Sequence, residues 1–412
     1  MRSFVRALAL PAVLVLVAAA CGSRTPLLDA DGAGGASSDN TNNGGATTAT
    51  QVGPGPTTNV SIGPGPTTST TGPVTVGPTT TVGPTTTTGP GVGGGSNTYP
   101  AFTPPAPQVV ELGGSLMVAP KFVPVFFSND DPGLDMSLTD FMNQVGESAY
   151  WTTISAEYGI GQGTALPPIN LTETATGSLS DGQIQQWLQT KLSTDPTFPA
   201  PDDNTIYVLY YPQGVDITLE GEHSCTYFGG YHSSTRTASG QEAIYAVIPN
   251  CPPQFGSELD NLTGATSHEI LEAATDPMPF DDPAYAQLDE AHLAWEFVLG
   301  AELADLCAQN PDAFQQEPGV NYVVQRTWSN QAAAANHQPC VPAPAGEPYF
   351  NSAPVENDTI AGSSQGQVFE MNGTHLAVGQ TTTIDVQLFS DGPTSGAWSV
   401  QAFDASQLTG DT

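Results

Sequence analysis

Basic side chains are scarce in this chain of 412 residues. Only 7 lysines and arginines stand against 41 aspartates and glutamates, and the formal net charge is −34 at pH 7. Nucleic acids and anionic lipid surfaces are bound largely through positive charge, so the composition argues against both as electrostatic partners. The acidity favours cationic partners, or it serves solubility alone.

Long apolar runs are lacking beyond residue 20, and no later stretch approaches the about 20 apolar residues that a membrane-spanning helix needs. Residues 1–20 contain Arg2 and Arg6 before an apolar run, which predicts a cleaved signal peptide. The small residues directly before Cys21 resemble a bacterial lipoprotein cleavage site. This resemblance implies a lipid on Cys21 and, with Gly22 next to it, an anchor in the outer membrane or at the cell surface. The alternative is an ordinary secretory signal with an incidental cysteine.

Residues 21–108 are mostly of low complexity and poor in large apolar side chains. The sequence Gly-Pro-Gly-Pro-Thr-Thr at 53–58 recurs at 63–68. Such a segment cannot bury enough apolar surface to fold, so we predict a disordered, semi-extended stalk. Its function would be to tether a folded domain to the membrane.

Residues 109–343 have the pattern of an α/β (α+β) domain. Buried strands are predicted at 122–127, 205–211 and 243–248, with helical patterns between and after them. This order predicts helices around a mixed sheet. Residues 344–412 instead alternate apolar and polar side chains in short segments. They predict a small β-sandwich-like domain of the adhesion or carbohydrate-associated type, either short or completed by a partner.

The candidate site lies on a predicted helix that ends before Pro277. His268 and Glu272 are four residues apart, so their side chains share one face and could bind one Zn²⁺. Glu269 would then activate a water molecule bound to the metal. The pattern is that of a His-Glu-x-x-His metallopeptidase helix with its second histidine replaced by glutamate. The alternative is an amphipathic helix whose polar face happens to carry these residues.

Two acidic residues further along extend this site. Glu302 and Asp305 are three apart on a second predicted helix and share a face. Glu302 could be the third metal ligand, and Asp305 could hold the other ring nitrogen of His268. Asp276 is a rival third ligand, although its position before Pro277 is typical of a residue that ends a helix. The alternative is a solvated acidic face in an acidic protein.

Four cysteines, an even number, remain after Cys21. In an oxidising compartment they predict two disulfides, and the sequence alone does not choose among the three pairings of Cys225, Cys251, Cys307 and Cys340.

One of these cysteines lies between two histidines. His223, Cys225 and His232 could suggest a zinc site, but a disulfide is the better use of Cys225 in an oxidising compartment. Tyr231 and His232 could instead line a substrate groove beside the site helix.

The order of these motifs resembles the plant Exordium, or phosphate-induced protein, family and its bacterial relatives. The resemblance covers 109–343 and is carried by His268-Glu-x-x-Glu272, Glu302-Leu-Ala-Asp305-Leu-Cys307, the block 322–330 and Cys340. Members are exported and associated with the cell wall and growth, and their site helix looks zincin-like. The resemblance therefore implies a zincin-like fold and a grouping of His268, Glu272, Glu302 and Asp305. It also agrees with pairing Cys225 with Cys251 and Cys307 with Cys340, each of which closes a local loop.

Two functions are compatible with these features. The first is a surface-tethered, zinc-dependent hydrolase acting on extracellular polypeptide. Its Zn²⁺ would be held by His268, Glu272 and Glu302, and Glu269 would be the general base. The second is a non-catalytic module that binds a cell-surface polymer or another protein, in which the same residues form a structural acidic cluster.

Overall fold

The computed structural model describes residues 24–26, 60–62, 72–76, 99, 105–344, 346, 348–354, 358–364, 367–377, 379–393 and 398–400. The predicted signal peptide (1–20), Cys21 and most of the predicted stalk lie outside these residues. Within the described ranges, every helix is too short or too polar to cross a bilayer.

The α-helices are α1 (Pro132–Val145), α2 (Ala149–Ser155), α3 (Asp181–Thr194), α4 (Glu258–Thr275), α5 (Leu293–Leu299), α6 (Asp305–Ala308) and α7 (Asn330–Ala334). The strands are β1 (Arg24–Pro26), β2 (Val60–Ile62), β3 (Gly72–Val76), β4 (Val109–Val110), β5 (Lys121–Phe126), β6 (Thr164–Ala165), β7 (Ile169–Asn170), β8 (Ser178–Ser180), β9 (Thr205–Tyr211), β10 (Asp216–Leu219), β11 (Glu222–His223), β12 (Phe228–Arg236), β13 (Glu242–Pro249), β14 (Gln287–Leu288), β15 (Phe314–Gln316), β16 (Val323–Gln325), β17 (Thr327–Trp328), β18 (Cys340–Val341), β19 (Phe350–Pro354), β20 (Asp358–Ser364), β21 (Gln367–Gly373), β22 (Thr382–Ser390) and β23 (Trp398–Val400).

A mixed sheet forms the centre of the main domain. Its strands follow the order β1-β12-β13-β9-β5-β6, and β7 also pairs with β5. Strands β5, β9 and β13 run parallel, whereas β12 is antiparallel to β13. These three parallel strands correspond to the three strands predicted from the sequence. The prediction of a mixed α/β domain is therefore confirmed.

Both faces of this sheet are covered. Alternate residues along a strand point to opposite faces, so Ile206 and Val208 belong to one apolar cluster while Tyr207 and Leu209 belong to another. The first cluster includes side chains from α1, α2 and α4, and the second includes side chains from α3. The sheet consequently lies between layers of helices, and α4 packs on the face that carries Ile206.

Helix α4 confirms the predicted site helix. It begins after Ser257, whose side chain forms a capping box with Asp260, and it ends at Thr275. Every residue from Leu262 to Thr275 is buried. The helix is therefore not an amphipathic surface element, and its polar side chains need partners inside the protein.

The second predicted helix is interrupted in the structure. Helix α5 ends at Leu299, Gly300 follows with a φ of +88°, and α6 begins only at Asp305. A left-handed φ of this kind is readily adopted only by glycine and does not continue an α-helix. Glu302 thus lies in the turn between the two helices, and the expectation that Glu302 and Asp305 share a helix face is wrong.

Strand β12 was not predicted from the sequence. Its glycines and serines have low strand propensity, and pairing to β13 outweighs that preference. His232 lies opposite Ala246, and the side chain of Ala246 is in the apolar cluster that contains α4. The strand therefore directs His232 toward the site helix.

The C-terminal segment contains strands, as predicted. Strand β22 pairs with β19 on one side and with β3 on the other, while β20 and β21 form an antiparallel pair. Strands β1, β2 and β3 lie within residues 21–108, and the disordered stalk stays a prediction. A sandwich architecture for residues 344–412 stays a prediction.

Two disulfides are present, with the pairings that the family resemblance implied. Cys225 is bonded to Cys251 and Cys307 to Cys340, with sequence separations of 26 and 33 residues. Disulfides persist in oxidising compartments, so they indicate a non-cytoplasmic protein.

We expect each disulfide to stabilise the fold to a similar degree. Replacing Cys307 and Cys340 together by serine should lower the free energy of unfolding by about 3–4 kcal/mol, because the unfolded chain loses a loop constraint. The double replacement of Cys225 and Cys251 should cost nearly as much, since the stabilisation depends only weakly on loop length. Urea unfolding followed by tryptophan fluorescence measures both. Non-reducing peptide maps linking Cys225 to Cys307 or Cys340 would contradict the pairing.

Candidate metal centre

Seven ionisable side chains meet inside the main domain, and we call them the buried cluster. Helix α4 supplies three of them, strand β12 supplies one, and the segments after α4 and α5 supply the rest. None is more than 5% exposed. The members are His232, His268, Glu269, Glu272, Asp276, Glu302 and Asp305.

The imidazole of His268 is held in one tautomer by Gln325. The Gln325 amide nitrogen donates to the carbonyl oxygen of Ala304 at 2.6 Å, which fixes the orientation of the amide. Its oxygen, 2.8 Å from His268 Nδ1, therefore accepts a hydrogen bond from that nitrogen. In the neutral imidazole, Nε2 is then the nitrogen without a proton, and it is left to bind a proton or a cation. A histidine with Nδ1–H bonded and Nε2 open is the usual state of a metal ligand.

Two carboxylates face His268 Nε2. Glu272 Oε2 lies 2.9 Å away and Asp305 Oδ1 lies 3.5 Å away. Burial alone would lower the pKa of His268, but Glu272 and Glu269 outweigh it and raise the pKa well above its usual value. A lone pair on nitrogen repels a carboxylate at these distances, so this space favours a proton or a metal cation.

The distances fit a small divalent cation. Zinc binds nitrogen and oxygen at about 2.0–2.2 Å, which separates neighbouring ligands of a tetrahedron by about 3.3 Å. The distances from His268 Nε2 to Glu272 and Asp305 lie on either side of this value. Glu272 is also held in place, because its Oε1 accepts hydrogen bonds from the backbone amides of Ala304 and Asp305 at 2.8 and 3.1 Å. These three residues could hold a metal ion.

A second group of possible ligands uses the same glutamate. His232, Glu272 and Glu302 each offer an atom, and these atoms lie within 4.8 Å of one another. His232 Nε2 lies 3.7 Å from Glu302 Oε1 and 2.9 Å from the carbonyl oxygen of Asp276. Its Nδ1 lies 3.6 Å from Glu269 Oε2. Burial opposes protonation of His232, but Glu269 outweighs it and raises the pKa.

The carboxyl groups of the cluster resist joint ionisation. Burial raises the pKa of Asp276 to about 6 and that of Asp305 to about 7. One oxygen of Asp276 accepts a hydrogen bond from the backbone amide of Ala284 at 2.8 Å, which fixes the loop after α4. A bound cation would favour the charged form of both carboxyls.

The structure brings all the predicted site residues together but divides them differently. His268 and Glu302, expected to share one metal, belong to separate ligand groups that have Glu272 in common. Asp305 faces Nε2 of His268 rather than the other ring nitrogen, because Gln325 occupies that position. The prediction that Asp305 holds Nδ1 of His268 is therefore wrong.

Two members of the site were not assigned a role in it from the sequence. Gln325 was noted only within the block 322–330, and its bond to His268 spans 57 residues. His232 was expected to line a groove, and it does lie beside one. A cavity of about 390 Å³ is lined by Tyr231, His232 and Asp181, among other residues. The carboxylate of Asp181 accepts hydrogen bonds from the hydroxyls of Tyr231 and Tyr245 at 2.8 and 2.6 Å.

The sequence also suggested a zinc site formed by His223, Cys225 and His232, and the structure does not bring these three side chains together. Cys225 is bonded to Cys251, and His223 lies on an exposed edge beside Asp216, 2.9 Å from its carboxylate. His223 and Cys225 are thus outside the buried cluster.

Comparison with known protein families, curated proteins and solved structures finds no match to this chain. The candidate ligands are therefore identified by their geometry alone.

The turn at Gly300 offers a test of the Asp305 ligand position. A Cβ atom at Gly300 would overlap the Asp305 carboxylate, so Gly300→Ala should displace it and weaken Zn²⁺ binding by about 10–100-fold. Gly214→Ala is the matched control, because Gly214 has the same φ of +88° with nothing within 4 Å of the added atom. Both variants should lose stability, and only the first should lose affinity in a chelator competition assay. Equal affinities would argue against Asp305 as a ligand.

Proposed function

We propose that this chain is an exported, metal-dependent hydrolase with a zincin-like site helix, acting on extracellular polypeptide. The observation that carries the proposal is the open Nε2 of His268, which Gln325 directs at two buried carboxylates. A helix that reads His-Glu-x-x-Glu places this nitrogen beside a potential general base, Glu269. Two disulfides agree with an exported protein.

Each side chain of the site has its own role in this proposal. His268, Glu272 and Asp305 hold the cation, for which nitrogen and oxygen ligands make zinc our choice. A divalent cation there supplies Lewis acidity toward a scissile carbonyl and toward water. Glu269 accepts a proton at its carboxylate, and His232 Nδ1, 3.6 Å from Glu269 Oε2, helps to position it.

A cavity beside the buried cluster is a candidate position for substrate, although His232 is the one cluster residue among those that line it. The cavity beside the cluster has His232 in its wall and a volume of about 390 Å³, within the range of ligand pockets. Asp181, Glu220 and Asp281 also line it. Its acidic lining favours a positively charged side chain of a polypeptide substrate.

A second candidate is favoured by a different observation. None of the ligand side chains is more than 5% exposed, and closed sites are typical of structural rather than catalytic metals. In that case the domain is a non-catalytic module of the Exordium type, binding a cell-surface polymer or protein, and the cation stabilises it.

Two glutamates on α4 separate the candidates. Glu269→Gln should keep the metal, since it removes no ligand, and should lower the rate of peptide hydrolysis by about 10²–10⁴-fold. Glu272→Gln should weaken metal binding itself, because an amide is a poorer ligand than a carboxylate. Metal content and cleavage of a peptide library measure the two effects, with exposed Glu290→Gln as the control.

Three results would decide against the hydrolase. Full activity in Glu269→Gln removes the proposed base. Stoichiometric metal that is lost in His268→Ala, without hydrolysis in the wild type, favours the structural role. Absence of metal from the wild type removes both metal proposals.

We also propose that Cys21 carries lipid and that residues 21–108 tether the domain to the outer membrane or cell surface. Cys21→Ser should move the protein from the membrane fraction to the soluble fraction, because the acyl chains are lost. Fractionation followed by mass spectrometry of the N-terminal peptide measures this. If the variant fractionates with membranes as the wild type does, the anchor lies elsewhere.

A further inference from the structure

We infer that the buried cluster binds two divalent cations, one on each side of Glu272. This inference rests on the proposed metal site and extends it by a second position. The first cation would be held by His268 and Asp305, and the second by His232 and Glu302. Glu272 belongs to both groups.

The two histidines use different nitrogens for their hydrogen bonds. Gln325 accepts the proton of His268 Nδ1 and leaves Nε2 for a cation. Glu269 Oε2 lies 3.6 Å from Nδ1 of His232, which is beyond hydrogen-bond distance, and this nitrogen has no hydrogen-bond partner among the described residues. A carboxylate behind a histidine is the usual support of a metal-binding imidazole. Glu269 would take that place for His232 once a cation occupies Nε2.

The other nitrogen of His232 donates a hydrogen bond to the carbonyl oxygen of Asp276, and a cation would replace that proton. Nε2 lies 3.7 Å from Glu302 Oε1 and 2.9 Å from the carbonyl oxygen of Asp276. Both His232 and Glu302 are at least 95% buried. Ligand atoms of an octahedral ion with bonds of about 2.1 Å are about 3.0 Å apart, so the contact to the Asp276 carbonyl suits a cation, and Glu302 would move closer to bind it.

Charge favours two cations over one. The cluster holds five carboxyl groups, and one divalent cation compensates the charge of only two of them when they ionise. Buried charge is costly unless it is compensated. Two cations on a shared carboxylate also form an arrangement that binds both oxygens of a hydrolytic displacement.

Metal counting on the full mature chain tests the inference. After chelation and dialysis against Mn²⁺ or Zn²⁺, the wild type should bind two equivalents. His232→Ala and Glu302→Gln should each bind one, and His268→Ala should also bind one. If His232→Ala and Glu302→Gln both bind one equivalent, the loss of the second ion is not explained by misfolding of a single variant. His223→Ala, which removes an exposed histidine paired with Asp216, should keep two.

Spectroscopy then tests the shared ligand. With two equivalents of Mn²⁺, the wild type should give the electron paramagnetic resonance of a spin-coupled pair, since bridged metals lie about 3.5–4 Å apart. His232→Ala should give the six-line spectrum of a single ion. Glu269→Ala should lose the second equivalent and Glu269→Gln should retain it, because the amide oxygen still accepts a hydrogen bond from Nδ1.

The outcomes separate this inference from the proposed function. A wild type that saturates at one equivalent overturns the two-cation site and leaves the hydrolase proposal intact. Two equivalents with uncoupled spectra overturn the sharing of Glu272. A wild type that binds no metal overturns both proposals.

Discussion

The enclosure of helix α4 is the constraint on which the site depends. From Leu262 to Thr275 no face of the helix reaches solvent, yet this stretch carries a histidine and two glutamates. Such groups are stable inside a protein only when they are bonded to one another, to the backbone or to an ion. The surrounding segments therefore have to supply polar partners as well as apolar contacts.

Those partners come mainly from the irregular chain after α5. The turn before α6 offers two backbone amides to Glu272, and strand β16 offers Gln325 to His268. Gln325 is itself held from both sides: its backbone amide donates to the hydroxyl of Ser267, and its carbonyl accepts from Tyr150. Hydrogen bonds thus connect strand β16 to α4 and to α2. The same strand supplies the side chain that orients His268.

The sequence predicted what depends on local periodicity. The spacing of His268 and Glu272 places them on one helix face, and three parallel strands follow from short buried runs. Both disulfide pairings agree with what the family resemblance implied, whereas the sequence alone left three pairings open. The helix face and the strands are encoded within a few residues.

Other parts of the site depend on long-range packing and could not be predicted from local sequence. His232 lies on a strand whose glycines and serines are poor strand formers, and tertiary pairing with β13 decides its conformation. Gln325 reaches His268 only because β16 packs against α4. Glu302 and Asp305 suggested a helix face, but Gly300, with its positive φ, ends α5 ahead of both residues and leaves Glu302 in the turn before α6. The sequence therefore predicted which residues lie together better than it predicted the role of each residue at the metal.

The bond between Cys307 and Cys340 has a consequence for when a metal can be acquired. Cys307 lies two residues after Asp305, so oxidation fixes the segment that carries one candidate ligand and the amides that hold Glu272. Cytosolic thiols stay reduced, whereas disulfides form after export. Ligand affinity grows as a site becomes preorganised. Maturation would then follow an order: secretion first, oxidation second and metal loading last, with the ion drawn from outside the cytoplasm.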